Sequence, residues 1–268
     1  MIRVFRMEWY RMWKNPAVWI LFLAYCALFA LAGGVMGILV GDSSLSQRFQ
    51  QEFYGAPLTL DGGVLTDYAE LFNACMMGNI VMLVTSVCIG IHATGHVVSG
   101  YQKNLAGVAK KWHYAVSSLV LLFVFNAILI VLGAFVLRIV MFLTHETVTC
   151  SSFVLLLRYC GVYLLLSTAY GMFGAVLALL TQSRIVAIIV PVVYCTAASS
   201  LFYMLLDAIA GALNFQIESA RYFPCGSLRS LHLTDSATEY GKAIFGAVLC
   251  IALCILLSVT VGRKRDMR

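Results

Sequence analysis

Six stretches of the 268-residue sequence are each apolar over about 20 residues or more, the length at which a helix crosses a hydrocarbon core of about 30 Å. They fall at about 17–40, 71–94, 115–138, 153–180, 185–206 and 243–262. None alternates apolar and polar residues as a barrel strand does, and lipid offers no partner to an open backbone, so each is expected to be a helix. With 62% hydrophobic and 11% charged residues, against about 25% charged in a soluble domain, the chain reads as an all-α polytopic membrane protein. One transmembrane domain is expected over residues 1–268.

Charge placement sets the expected orientation, because short loops rich in Lys and Arg stay in the cytoplasm. Arg3, Arg6, Arg11 and Lys14 precede the first stretch, Lys103, Lys110 and Lys111 follow the second, and Arg184 follows the fourth. Arg263, Lys264, Arg265 and Arg268 follow the sixth. All four segments share one side of a six-span chain, whereas most acids, Asp61, Asp207, Asp235 and Glu239 among them, fall on the other. Both termini are therefore expected in the cytoplasm. The net charge of +6 reflects this bias and an attraction to anionic lipid, not a nucleic-acid footprint. No small-residue cleavage pattern closes the first stretch, so it is expected to stay in the mature protein.

The opening MIRVFRMEWYRMWKNP predicts an amphipathic helix over 1–15. Ile2, Phe5, Trp9, Met12 and Trp13 share one arc, with Arg3, Arg6, Arg11 and Lys14 opposite. That pattern suits a helix lying in the membrane surface with its basic groups at the headgroups. Asn15-Pro16 ends it, since the residue before proline avoids the α region. Small residues at four-residue spacing form three stripes: Gly33, Gly37 and Gly41; Ser167, Gly171 and Ala175; Gly246, Cys250, Cys254, Ser258 and Gly262. Such stripes let helix backbones approach closely, a main source of association in lipid. Only TQSR separates the fourth and fifth stretches, which makes them antiparallel neighbours. The piece at about 208–217 is apolar enough either to dip into the outer leaflet or to form a surface turn.

No span contains Asp or Glu, which argues against proton- and sodium-coupled carriers. The chain also lacks a G-x-x-x-x-G-K-[ST] phosphate loop, so if ATP drives it, a separate subunit binds the nucleotide. Seven of the nine cysteines lie in or at the ends of spans and act as small apolar residues; Cys150 and Cys225 fall outside and can pair if their Cα atoms come close. HATGH sets His92 and His96 at i, i+4, as in metalloprotease helices, but the glutamate of H-E-x-x-H is missing. Two polar residues where a helix leaves the membrane is the plainer reading. No metal is expected. Arg138 reaches the headgroups from the outer end of the third span. Arg158, about two turns into the fourth, either snorkels outward or faces the bundle and pairs with an outer acid such as Asp207.

Between the second and third stretches, residues 96–112 separate on a helical wheel. Val97, Val98, Tyr101, Leu105, Val108, Ala109 and Trp112 cover one arc; His96, Ser99, Gly100, Lys103, Asn104, Gly107, Lys110 and Lys111 cover the other. Each glycine costs a helix about 1 kcal/mol, so Gly100 and Gly107 on the polar face make sense where another protein's surface comes close. The segment is expected to be a cytoplasmic coupling helix seated in a partner's cleft.

Basic N-terminal helix, six spans, large outer loop after the first and amphipathic helix after the second: this layout resembles the type-2 ABC exporter permeases, especially those linked to lantibiotic and bacitracin resistance. The coupling helix of that family often reads E-x-x-x-G-x-x-K-N; here Gly100, Lys103 and Asn104 match and His96 stands where the acid is usual. RYFPCGSLRSL, before the last stretch, resembles a proline-bearing segment of the same subgroup. The resemblance implies a non-enzymatic permease subunit in a bacterial plasma membrane, paired with a second copy or a related permease and with ATP-binding cassette subunits that hold the ATP and Mg. It implies Gly100, Lys103, Asn104, Gly107, Lys110 and Lys111 as the ATPase contacts. The interior polar residues Asn79, Asn126, Ser167 and Thr168, with Arg158 the sole charge, suit an amphipathic or lipid-dissolved cargo. With the resemblance, they point to export of a hydrophobic antimicrobial peptide such as a lantibiotic. An intramembrane metalloprotease-like enzyme and a non-transporting sensor or scaffold remain the alternatives.

Overall fold

The computed structural model describes residues 2–41, 67–77, 79–98, 111–144, 150, 152–195, 198–212 and 218–265, and these are almost entirely helical. In order come α1 (Ile2–Lys14), α2 (Pro16–Gly41), α3 (Tyr68–Met77), α4 (Ile80–Val98), α5 (Lys111–Thr144), α6 (Phe153–Thr181), α7 (Arg184–Cys195) and α8 (Ala198–Ala212). A 3₁₀ turn (Ser219–Arg221), the short α9 (Pro224–Ser230) and α10 (Ala237–Arg265) follow. Four helices are long and apolar enough to cross a membrane, or up to six if each of two bent pairs forms one span. The chain is a multi-pass membrane protein by that measure.

Local chemistry explains the joints. Pro16 opens α2, where its missing N–H is no loss, and Asn15 caps the helix through Oδ1, which accepts the Ala17 amide at 3.1 Å. Ser152 caps α6, accepting the Leu155 amide at 3.4 Å, and Gln182 ends that helix at φ 55°, so α6 and α7 turn back on each other across TQSR as expected. α6 is the hub, packing against α4, α5, α7, α9 and α10. Members of two of the small-residue stripes lie in close contacts of α6 and α10. Gly171 meets Leu122 and Thr85, the Cys250 thiol donates to the Ala169 carbonyl, and Gly246 leaves no room for a Cβ against the Tyr222 carbonyl. Tyr25, Phe29, Phe72, Phe125, Tyr159 and Tyr163 fill the core, while Leu23, Phe142 and Leu256 point outward.

Two apolar stretches are not single rods. The second breaks between α3 and α4 with a 47° bend, where Asn79 takes φ 57°, a left-handed conformation that asparagine tolerates. The fifth carries Pro191 inside α7 and breaks after Cys195 by 66°. α5 is the opposite case: its 34 residues would extend about 51 Å, well beyond the expected 115–138. The apolar piece near 208 continues α8 as helix to Ala212; residues 213–217 lie outside the described set.

Candidate functional site

Of the proposed coupling residues, Gly100, Lys103, Asn104, Gly107 and Lys110 lie outside the described residues, and Lys111 is the first residue of α5. What the structure describes is the platform that carries them: the end of α4, the start of α5, and α1 beside them.

α1 is seated differently from its sequence arc. Val4, Glu8 and Met12, one stripe at i, i+4, i+8, are buried; Arg3, Arg6, Tyr10 and Lys14 are exposed; Phe5, Trp9 and Trp13 lie on the flank between. Those aromatic rings form a ladder rather than an open apolar face. Phe5 stacks on Trp9, Trp9 meets Trp13, Trp13 stacks on Phe22, and Phe22 meets Phe125 of α5, with centroids 5.3–6.0 Å apart. The Trp19 indole donates to the Trp13 carbonyl at 3.0 Å, tying α1 to α2.

The buried stripe brings an acid inward. Glu8 Oε2 lies 2.9 Å from His92 Nε2, with side chains 2% and 9% exposed. Desolvating two such groups is expensive, and their mutual contact offsets part of it. The partner that HATGH lacks within its own helix thus arrives from α1, as a hydrogen-bonded contact between carboxylate and imidazole. Among the described residues no group of three His, Cys, Asp or Glu could hold a metal ion. Behind His92, between α4, α5, α6 and α10, lies a water-sized cavity lined by Ser118, Met172, Ala175 and Ser258 among others. Sequence reasoning passed over Glu8; the signal was an acid in register with Val4 and Met12.

The proposed cargo residues do not form one open path. Thr85 donates to Asn126 Oδ1 at 2.6 Å, joining α4 to α5, and Asn126 is fully buried. Ser167 and Thr168 hydroxyls both donate to the Leu164 carbonyl of their own helix. Asn79 sits at the α3–α4 break, its amide donating to the Cys195 carbonyl at 3.5 Å. Arg158 stands apart at the other end of α6. It reaches outward, Nη2 donating to the Leu233 and Asp235 carbonyls, each at 3.1 Å, with the guanidinium 4.1 Å over the Tyr240 ring. Asp207 is not its partner; that carboxylate accepts the Ser219 amide at 2.7 Å. Of the two readings of Arg158, the pairing with Asp207 is not seen: the stem carries the charge to carbonyls of the 233–235 segment instead.

Cys225 is likewise not where its pairing with Cys150 requires. It is wholly buried on α9, its thiol donating to the Tyr194 carbonyl at 3.6 Å, whereas Cys150 is exposed, and both thiols are free. The hydrogen bond with Cys195 and then the Arg229 guanidinium pull the Cys225 thiol below its ordinary pKa.

No family model and no curated protein matches the chain.

Proposed function

We propose that the protein is the six-span membrane subunit of an ATP-binding cassette exporter in a bacterial plasma membrane, with both termini in the cytoplasm. The observation that carries this reading is the platform. α4 and α5 flank a basic, glycine-bearing segment, and the buried Glu8–His92 pair fixes the α4 end of it to α1. A helix pinned beside a basic connector transmits a push from a partner, as a loop without an anchor does not. The chain has no phosphate loop, so the energy comes from separate ATPase subunits that bind ATP and Mg. Gly100, Lys103, Asn104, Gly107, Lys110 and Lys111 contact that ATPase. The exposed Arg3, Arg6 and Lys14 of α1 meet anionic headgroups. The bundle interior, apolar with neutral hydrogen-bonding groups, suits a hydrophobic or amphipathic cargo, a lantibiotic-like peptide in the first instance. A second copy or a related permease completes the pathway.

Lys103→Glu combined with Lys110→Glu is expected to abolish capture of the ATPase in a pull-down while leaving the membrane subunit folded. Undiminished capture would defeat the assignment.

A further inference from the structure

Cys225 does have a thiol neighbour, and it is Cys195. The Cys225 sulfur, in the first turn of α9, accepts a hydrogen bond from the Cys195 thiol at the last residue of α7, and its own proton goes to the Tyr194 carbonyl at 3.6 Å. Both cysteines are reduced and closed to solvent. Two thiols from separate elements thus meet in the core.

Contacts that involve neither sulfur hold the two elements in place. Arg229 Nη2, near the far end of α9, donates to the Cys195 carbonyl, and the Asn79 amide donates to the same oxygen at 3.5 Å. Phe223, which caps α9, packs on Tyr203 with ring centroids 5.7 Å apart, and the Tyr203 and Tyr194 hydroxyls share a hydrogen bond of 3.0 Å. A disulfide needs its two sulfurs brought together and kept there, and here the surrounding residues already do so. The other adjacent thiols, Cys250 and Cys254, lie a turn apart on α10, so a bond between them would join no two elements.

Cys225 also has the chemistry of an attacking sulfur. The Cys195 hydrogen bond and then the positive charge of Arg229 pull its thiol down to about 7, against the opposing effect of burial. More thiolate means a better nucleophile toward an oxidant. Burial in turn selects the oxidant by size: a bulky disulfide is shut out, whereas a molecule little larger than water enters during local opening.

We propose that Cys195 and Cys225 are a redox dithiol that hydrogen peroxide converts to a disulfide, bonding α9 covalently to the end of α7. The Cys225 thiolate attacks one peroxide oxygen and the O–O bond breaks, giving Cys225 sulfenic acid and a hydroxide that takes up the proton Cys225 released. The Cys195 sulfur then attacks the Cys225 sulfur, the S–O bond breaks, and the departing hydroxide leaves as water with the Cys195 proton. Two thiols give up two electrons, and one peroxide becomes two waters. The inference stands whether or not an ATPase drives the protein.

The test uses purified Cys150→Ser protein, which cannot cross-link between molecules through the exposed thiol; of the nine cysteines, eight then remain. It is reduced, freed of reductant, treated with hydrogen peroxide, denatured and alkylated. Two thiols are expected to escape alkylation and to return on reduction, and peptide mapping should find Cys195 joined to Cys225. Thermal unfolding should rise by several degrees on oxidation and fall back on reduction, because the bond closes a long loop of the unfolded chain. Adding Cys225→Ser should abolish both the loss of a thiol pair and the shift in unfolding. Alkylation of all eight thiols after peroxide, a linkage mapped to any other pair, or a pair still lost without Cys225 would overturn the proposal, and an unchanged unfolding temperature would overturn the covalent lock. Should the serine variant not fold, the linkage mapped in the Cys150→Ser protein decides alone.

Discussion

A glutamate and a histidine facing each other in a largely dry site are not the most stable choice for that volume. An apolar pair would pack as well, so the contact between Glu8 and His92 is better understood as fixing register between α1 and α4. Its energetics are testable. His92→Leu or Glu8→Leu alone removes this contact from a group that stays buried and should cost about 3–5 kcal/mol, whereas the double leucine variant should unfold close to the wild type. Thermal unfolding of the purified protein in detergent reads both outcomes, and additive losses would remove the pair. Glu8 was legible in principle, as the one acid in a stripe with Val4 and Met12. The aromatic arc beside it was the louder signal, and aromatic rings serve a protein contact as readily as a lipid one. Near the start of α6, Arg158→Leu removes two hydrogen bonds and a ring contact. A loss of about 1–3 kcal/mol is expected, and no change would mean that the 233–235 segment is held without it.

At the scale of elements, what could be read in advance was what repeats. The apolar stretches appear as helices within a few residues of their expected ends for α2 and α6, and members of the second and third small-residue stripes lie where α6 and α10 are closely approached. What could not be read was continuity, because a run of apolar residues looks the same whether straight or broken. Asn79 marks the first bend, where its backbone leaves the helix, whereas Pro191 lies inside α7, one turn before the second. Asn79 holds φ 57°, which glycine adopts freely and a β-branched residue does not. Asn79→Gly should therefore unfold within a few degrees of wild type, and Asn79→Val should lose stability by about 1–2 kcal/mol or more, as read by thermal unfolding. Equal behaviour of the two would mean that the left-handed joint is not what sets the bend. Gly246, inside α10, is constrained by close approach instead. A valine there must push the Tyr222 carbonyl away and should cost about 1–3 kcal/mol.

For the whole molecule, the length of the apolar stretches, their lack of alternation and the low charged fraction were enough to specify an all-helical, multi-pass membrane chain. The site was far less legible. Its basic connector was visible as a pattern, yet the anchor beside it joins residues 84 positions apart, and no local periodicity reports such a contact. The polar residues expected to line a path are bonded to their own helix or to a neighbour, so the proposed transport would need the bundle to rearrange, with the two bent helix pairs as the places where it can. The claim on which this functional account rests is that the 96–112 connector lies in the cytoplasm under an ATPase. Lys103→Cys and Lys110→Cys, each in intact cells, should resist a membrane-impermeant thiol reagent, react once the membrane is permeabilised, and be shielded again when the ATPase is bound. Labelling of either position from outside intact cells would contradict it.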